Sequence, residues 1–314
     1  MRNRNAVPYL MLTCTSVIFG FSFLVTRGAL ETLGEFQMLG LRFALAAIVM
    51  TVLTAVRAVK VRISRAKLKA LLPLALIQSL IYFTGETYGI RLTSASESGM
   101  MIALIPIAIA LFSVAILKER LTVRQWVSIG ASVGGVALIV AAHGFSGGGS
   151  ALGYGLLLVA VIAEGFYCAL ARRVSALCSP FELTLVTMWT GAIGFNIIGV
   201  SSAAAQGTLT SYLSAALTPG AYPGLLYLGL LSSIAAFFGV NYALSRIPAS
   251  NTAAFSNLTT VVSVLAGALL GGETLYPLQI AGMTVILLSI WGIAGGKPAH
   301  PGCPQDVQTS TENP

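Results

Sequence analysis

Glu164 is the only charged residue in the apolar run 151–171. A carboxylate at mid-bilayer costs a few kcal/mol, roughly 2.5–3.5 for Asp on the lenient insertion scale. Such a group survives only if it is paired, protonated or in contact with water. At helical spacing its neighbours are Gly153, Leu157, Ala160, Cys168 and Ala171, a mostly small-residue face. Leu156, Val159, Ile162, Phe166 and Leu170 fall on other faces, suited to lipid or packing. The carboxylate is therefore expected to point inward, about 20 Å of helical rise from the start of its segment. There it can bind a proton, or the amine of a solute, in alternation. The competing reading is a structural hydrogen bond or ion pair with a neighbour.

Other groups belong with it. Glu86 lies about one turn from the outer end of its segment, where a cavity site and an ion pair with Arg91 are both open. Asn257 offers an uncharged hydrogen-bonding group, and Tyr88 and Tyr242 stand at repeat-related positions. With Glu164 and Glu86 these three form the expected substrate and proton site. Four charges read as structural. Arg42 anchors its helix on a carboxylate or on carbonyls. Glu97 completes a capping-box spacing with Ser94. Glu119 and Glu273 end their helices where the dipole disfavours an acid, so each should accept bonds from the next helix start, near Thr122 or Tyr276. Pro106 sits mid-segment and should bend its helix.

No metal or cofactor is expected. The histidines, His143 and His300, stand at segment ends, and Cys14, Cys168, Cys178 and Cys303 form no C-x-x-C pair. Gly295-Gly296-Lys297 runs into Pro298 and is no phosphate loop. Gly130 and Gly134, and Gly267 and Gly271, have a spacing that serves close helix packing or a homodimer.

The elements that must position these groups are membrane helices. Of 314 residues, 56% are hydrophobic and 9% charged, with a mean hydropathy of +0.87; soluble domains carry about 25% charged residues. Apolar segments fall at about 7–26, 35–56, 70–90, 95–117, 123–142, 151–171, 180–200, 221–244, 249–270 and 276–294. The first follows Arg2 and Arg4 and reads as an uncleaved span. Residues 201–218 carry no charge and are expected on the membrane surface. With the N-terminus inside, fifteen of the eighteen Lys and Arg residues fall on the cytoplasmic side. That bias explains the net charge of +8 without nucleic acid as a partner. It predicts ten spans in the cytoplasmic membrane with both termini cytoplasmic.

A shift of 154 residues brings Ser79, Phe83, Gly85 and Tyr88 onto Ser233, Phe237, Gly239 and Tyr242. The same shift brings Ala95, Ser96, Glu119, Leu121 and Gln125 onto Ala249, Ser250, Glu273, Leu275 and Gln279. A shift of 145 brings Gly20, Phe21 and Arg27 onto Gly165, Phe166 and Arg172. The fold class is therefore all-α: ten transmembrane helices as two five-helix repeats. Five is odd, so the second copy enters the membrane inverted. Residues 1–143 form the first repeat, 144–150 a flexible linker, 151–296 the second repeat and 297–314 a disordered cytoplasmic tail.

Phe19-Gly20-Phe21-Ser22, Arg42, the stretch from Tyr88 to Ser96, Pro106, Lys118-Glu119-Arg120-Leu121, Tyr242-Ala243-Leu244 and Gly271-Gly272-Glu273-Thr274-Leu275 carry a further signal. On these the chain resembles the drug/metabolite transporter superfamily, of the EamA ten-helix type. Members often have Trp where Phe19 stands. The resemblance implies secondary transport of a small metabolite by alternating access. An amino acid or other amine-bearing solute, protons as coupling ion and outward movement are the expected details. The alternatives are a membrane-embedded enzyme, which would need interfacial carboxylates or histidines, and a receptor or scaffold, which would need a sizeable soluble part.

Overall fold

A computed structural model of the chain describes residues 6–30, 32–92, 101–102, 104–141, 150–215, 218–270 and 276–294, and every regular element among them is helical. The rods are α1 (Ala6–Leu30), α2 (Glu35–Ala55), α3 (Arg65–Gly89), α4 (Ile105–Leu117) and α5 (Val123–Ala141). They continue as α6 (Ala151–Val174), α7 (Pro180–Ala205), α8 (Tyr222–Arg246), α9 (Ala249–Leu270) and α10 (Pro277–Ala294). Among the described residues α2, α3, α6, α7, α8 and α9 are long and apolar enough to cross a membrane; the apolar stretches of the other four are shorter.

Local chemistry sets the ends of the rods. Ser64 Oγ accepts from Lys67 N at 3.2 Å, so α3 begins at Arg65, earlier than the apolar run at 70 suggests. Ser150 Oγ accepts from Gly153 N at 3.0 Å and starts α6. At α7, Ser179 and Glu182 form a capping box and Pro180 occupies the first turn, where its missing N–H costs nothing. Uncharged residues 201–205 extend α7, and a short helix, Leu209–Ala215, follows. The Gln37 amide on α2 donates to the Tyr212 carbonyl and ties that helix down. Pro106 falls in the first turn of α4, not in the middle of a continuous helix, so the expected bend there is corrected to a restart of the helix. In the second half α9 is interrupted by a turn at Asn257, between Ala249–Ser256 and Leu258–Leu270. Glu97, Ser94, Glu273, His143, His300, Cys303, most of the linker and the tail lie outside the described residues.

The two halves pack in matched pairs. α3 and α4 of the first half lie against α6, as α8 and α9 of the second half lie against α1. Likewise α3 lies on α7 as α8 lies on α2, while α2 pairs with α7 and α5 with α10 between the two halves. The match reaches single atoms. A Cβ on Gly85 would come 2.8 Å from the Leu156 carbonyl oxygen and 3.4 Å from Ala160 Cβ; one on Gly239 would meet Thr15 and the Met11 carbonyl. Met11 and Thr15 are the counterparts of Leu156 and Ala160 under the 145-residue shift. Gly20 against Val262 repeats as Gly165 against Ala108. Small residues at these crossings let backbones approach, which is how helices adhere in lipid.

One departure from regular geometry is also duplicated. α3 is π-helical over Ile77–Tyr82, and α8 over Tyr227–Ala236. Under the 154-residue shift the two stretches overlap and end together, Tyr82 on Ala236. A wider turn puts residues four apart nearly in line, and π-turns within α-helices are frequent at functional sites.

Candidate functional site

The α3 π-turn places Gln78, Tyr82 and, one turn on, Glu86 along one face of the helix. Gln78 Nε2 donates to Glu164 Oε2 at 2.8 Å, and Cys168 Sγ donates to Glu164 Oε1 at 3.4 Å. Tyr82 Oη donates to Glu86 Oε1 at 2.7 Å. The α6 face bearing Glu164 is the small-residue one: Gly153, Leu157, Ala160, Cys168 and Ala171 are all buried, while Val159 and Ile162 are exposed. Glu164 thus faces the bundle interior and α3.

The matching π-turn in α8 presents Ser232 and Ser233 to Arg42. Arg42 Nε donates to Ser233 Oγ at 3.1 Å and Nη2 to Ser232 Oγ at 3.2 Å. Its guanidinium also lies over the Phe83 and Phe43 rings, 5.2 and 5.4 Å from their centroids. Arg42 is buried, at 5% exposure, and among the described residues no carboxylate lies within 4 Å of it. The expected carboxylate or carbonyl anchor is therefore replaced by two hydroxyls and two aromatic faces. In the other half Ser79, counterpart of Ser233, donates to the Thr187 carbonyl at 2.7 Å. Thr187 is the counterpart of Arg42 under the 145-residue shift. One architectural contact thus carries a cation in one half only.

Arg42, Tyr82 and Glu86 lie within electrostatic reach of one another, and Glu164 within reach of Tyr82 and Glu86. The interior cluster holds two carboxylates and one guanidinium. Among the described residues Gln78 Oε1, fully buried, has no hydrogen-bond partner. An unmatched acceptor beside a carboxylate marks a place where a hydrogen donor is wanted, because a buried acceptor left bare costs about 1–3 kcal/mol.

The remaining site residues go elsewhere. The proposed Glu86–Arg91 pair is not formed. Arg91 bonds Glu35 Oε1 at 2.6 Å, because a five-residue step on an α-helix turns Arg91 about 140° away from Glu86. Tyr88 packs on Phe36, with ring centroids 5.3 Å apart. Tyr242 lies under Arg246, 5.5 Å from its guanidinium carbon. Asn257 donates to Ser132 Oγ at 2.9 Å, joining α9 to α5. Glu119 binds the start of α9 in the other half, taking Ser250 Oγ at 2.8 Å and Ala249 N at 3.2 Å. Its expected donor near Thr122 is served by Gln125 Oε1 at 2.9 Å.

Sequence reading missed Gln78, Tyr82, Ser232 and the buried chain Tyr167–Asn241–Thr184, linked at 2.9 and 3.0 Å. Uncharged polar residues inside apolar runs were the available signal.

The model of the EamA-like transporter family matches residues 7–141 and again 151–295. The chain belongs to the EamA-like transporter family. It is 32% identical over 293 residues to the uncharacterized transporter YcxC of Bacillus subtilis (strain 168), covering 93% of this chain and 94% of that one. The uncharacterized inner membrane transporter YedA of Escherichia coli (strain K12) is 25% identical over 311 residues, covering 97% and 96%. A crystal structure at 16% identity superposes with a TM-score of 0.70 over 91% of this chain and 98% of its own, which shows a shared fold. This EamA-like chain is thus a two-repeat, multi-pass membrane transporter.

Proposed function

We propose that the chain is a secondary transporter that carries a small amine-bearing metabolite, such as an amino acid, outward across the cytoplasmic membrane in exchange for protons. The observation that carries this reading is the interior cluster with two carboxylates and one guanidinium. In low dielectric the uncompensated negative charge favours one monovalent cation, either a proton or a substituted ammonium. A site that takes one or the other, never both, couples their movements. An amino acid also brings a carboxylate for the guanidinium N–H groups that the serines leave unused. Ten spans in two inverted halves supply the motion: related halves exchange conformations, and inward-open and outward-open states become near mirror images.

Purified protein in liposomes should exchange labelled amino acids or amines without nucleotide, and an imposed pH gradient should drive accumulation. Strict dependence on ATP, with no second protein present, would refute it.

The two ends of α6 test the orientation. In a cysteine-free background, Ala151→Cys should react with an impermeant thiol reagent added to intact cells. Ala176→Cys, at the far end, should react only after permeabilisation. The reverse pattern would invert the assigned topology.

A further inference from the structure

On the lipid side of the bundle, away from the charged cluster, α3 and α7 leave a groove of about 580 Å³. Leu68, Leu72, Leu76 and Leu80 line one wall, four residues apart, and Trp189 and Ile193 stand on the other. Leu80 and Gly194, which approach closely, are also part of its lining. Leu72, Leu76 and Ile193 are about half exposed, so the groove is open along its length. From Leu68 to Leu80 it runs about 18 Å, a little over half of the roughly 30 Å hydrocarbon core.

Charge accumulates at one end only. Residues 57–69 contain six Lys and Arg and no acid. Glu182, a carboxylate at this end, is occupied. It binds Lys67 Nζ at 2.9 Å and accepts from the Arg62 and Ser179 amides. Arg65 lies seven residues before Leu72, and Lys69 seven before Leu76, so both sit in line with the leucine stripe. Among the described residues neither has a carboxylate within 4 Å. An apolar slot about one leaflet deep, with two cations in helical register beyond the basic end of its leucine wall, has the shape and charge that suit one phospholipid.

We propose that this groove binds an acyl chain of an anionic phospholipid whose phosphate lies against Arg65 and Lys69. A zwitterionic lipid offers the same chain, but its own ammonium opposes the two cations. The juxtamembrane position of the cations suits recognition of anionic head groups. The occupant lies against the outer face of the rod whose inner face carries Gln78, Tyr82 and Glu86. The geometry is independent of which side of the membrane the basic end occupies and of what is transported.

The test is native mass spectrometry of the delipidated full chain titrated with phosphatidylglycerol or phosphatidylcholine. Phosphatidylglycerol should be retained about tenfold better. The double variant R65Q/K69Q should lose that preference, and R65K/K69R should keep it, which separates charge from misfolding. Ile193→Trp, filling the slot, should reduce retention of both lipids. The control R57Q/K60Q removes two cations of the same cluster that are off the stripe. If it abolishes the preference as fully as R65Q/K69Q does, the charge is diffuse and the site is refuted. Equal retention of the two lipids by the wild type also overturns it. So does efficient cross-linking of Ile193→Cys between two copies in native membranes, since a second protomer would then fill the groove.

Discussion

Glu164→Gln should cut proteoliposome flux by about tenfold or more, and what remains should no longer vary with pH. The same variant should be at least as heat-stable as the wild type. Its amide oxygen can still accept from Gln78 Nε2, now 2.8 Å from the carboxylate, so the α3–α6 contact survives. What disappears is a half-buried charge without a cation at ion-pair distance among the described residues, a liability that a purely structural residue would not keep. Loss of transport with undiminished stability separates a working carboxylate from a packing one. Unchanged flux and pH profile would remove Glu164 from the mechanism. A large loss of thermal stability would instead make it a structural hydrogen-bond acceptor.

Gly85→Ala and Gly165→Ala should each destabilise the protein by about 1–3 kcal/mol. The added methyl would meet rigid backbone: the Leu156 carbonyl oxygen at 2.8 Å in the first case, Ala108 carbonyl carbon at 2.8 Å in the second. Neither neighbour can rotate away. Gly239→Ala, at the repeat-equivalent crossing, should cost less, because the near neighbour there is the Thr15 side chain. Thermal unfolding of the three variants in detergent gives the order directly. Equal, negligible losses would mean that the halves have slack at these crossings.

These expectations show what a single sequence can and cannot convey. The inward aim of Glu164 was legible because α6 is a regular helix, and its small residues recur on one face. The repeat was legible because Ser79 and Ser233, or Gly85 and Gly239, recur at one offset. The partners of Arg42 were not. Ser232 and Ser233 lie about 190 residues away, and only the three-dimensional pairing of α2 with α8 brings them in. Gln78 was missed because it is uncharged and its partner is remote: it stands at four-residue steps from Tyr82 and Glu86, but only the packing of α3 on α6 brings it to Glu164, 86 residues away. Glu119 was read as structural from its place at a helix end, yet its partners came from the opposite half.

The paired π-turns also carry a history. A π-turn holds a residue more than the α-turn it replaces, and such an extra residue arises by insertion into a regular helix. Had the insertion happened in one half after gene duplication, the two copies would fall out of step by one residue beyond it. They do not: Ser79 and Ser233 before the shared end, and Gly85 and Gly239 after it, match at the same offset. The simplest descent puts the extra residue in the five-helix ancestor, before the gene doubled. Arg42 and Glu164, matched by Thr187 and Phe19 in the other copy, are where the two halves differ. The backbone irregularity is common to both halves, and each half sets a different charge against it: Arg42 of the first meets the α8 turn, and Glu164 of the second meets the α3 turn.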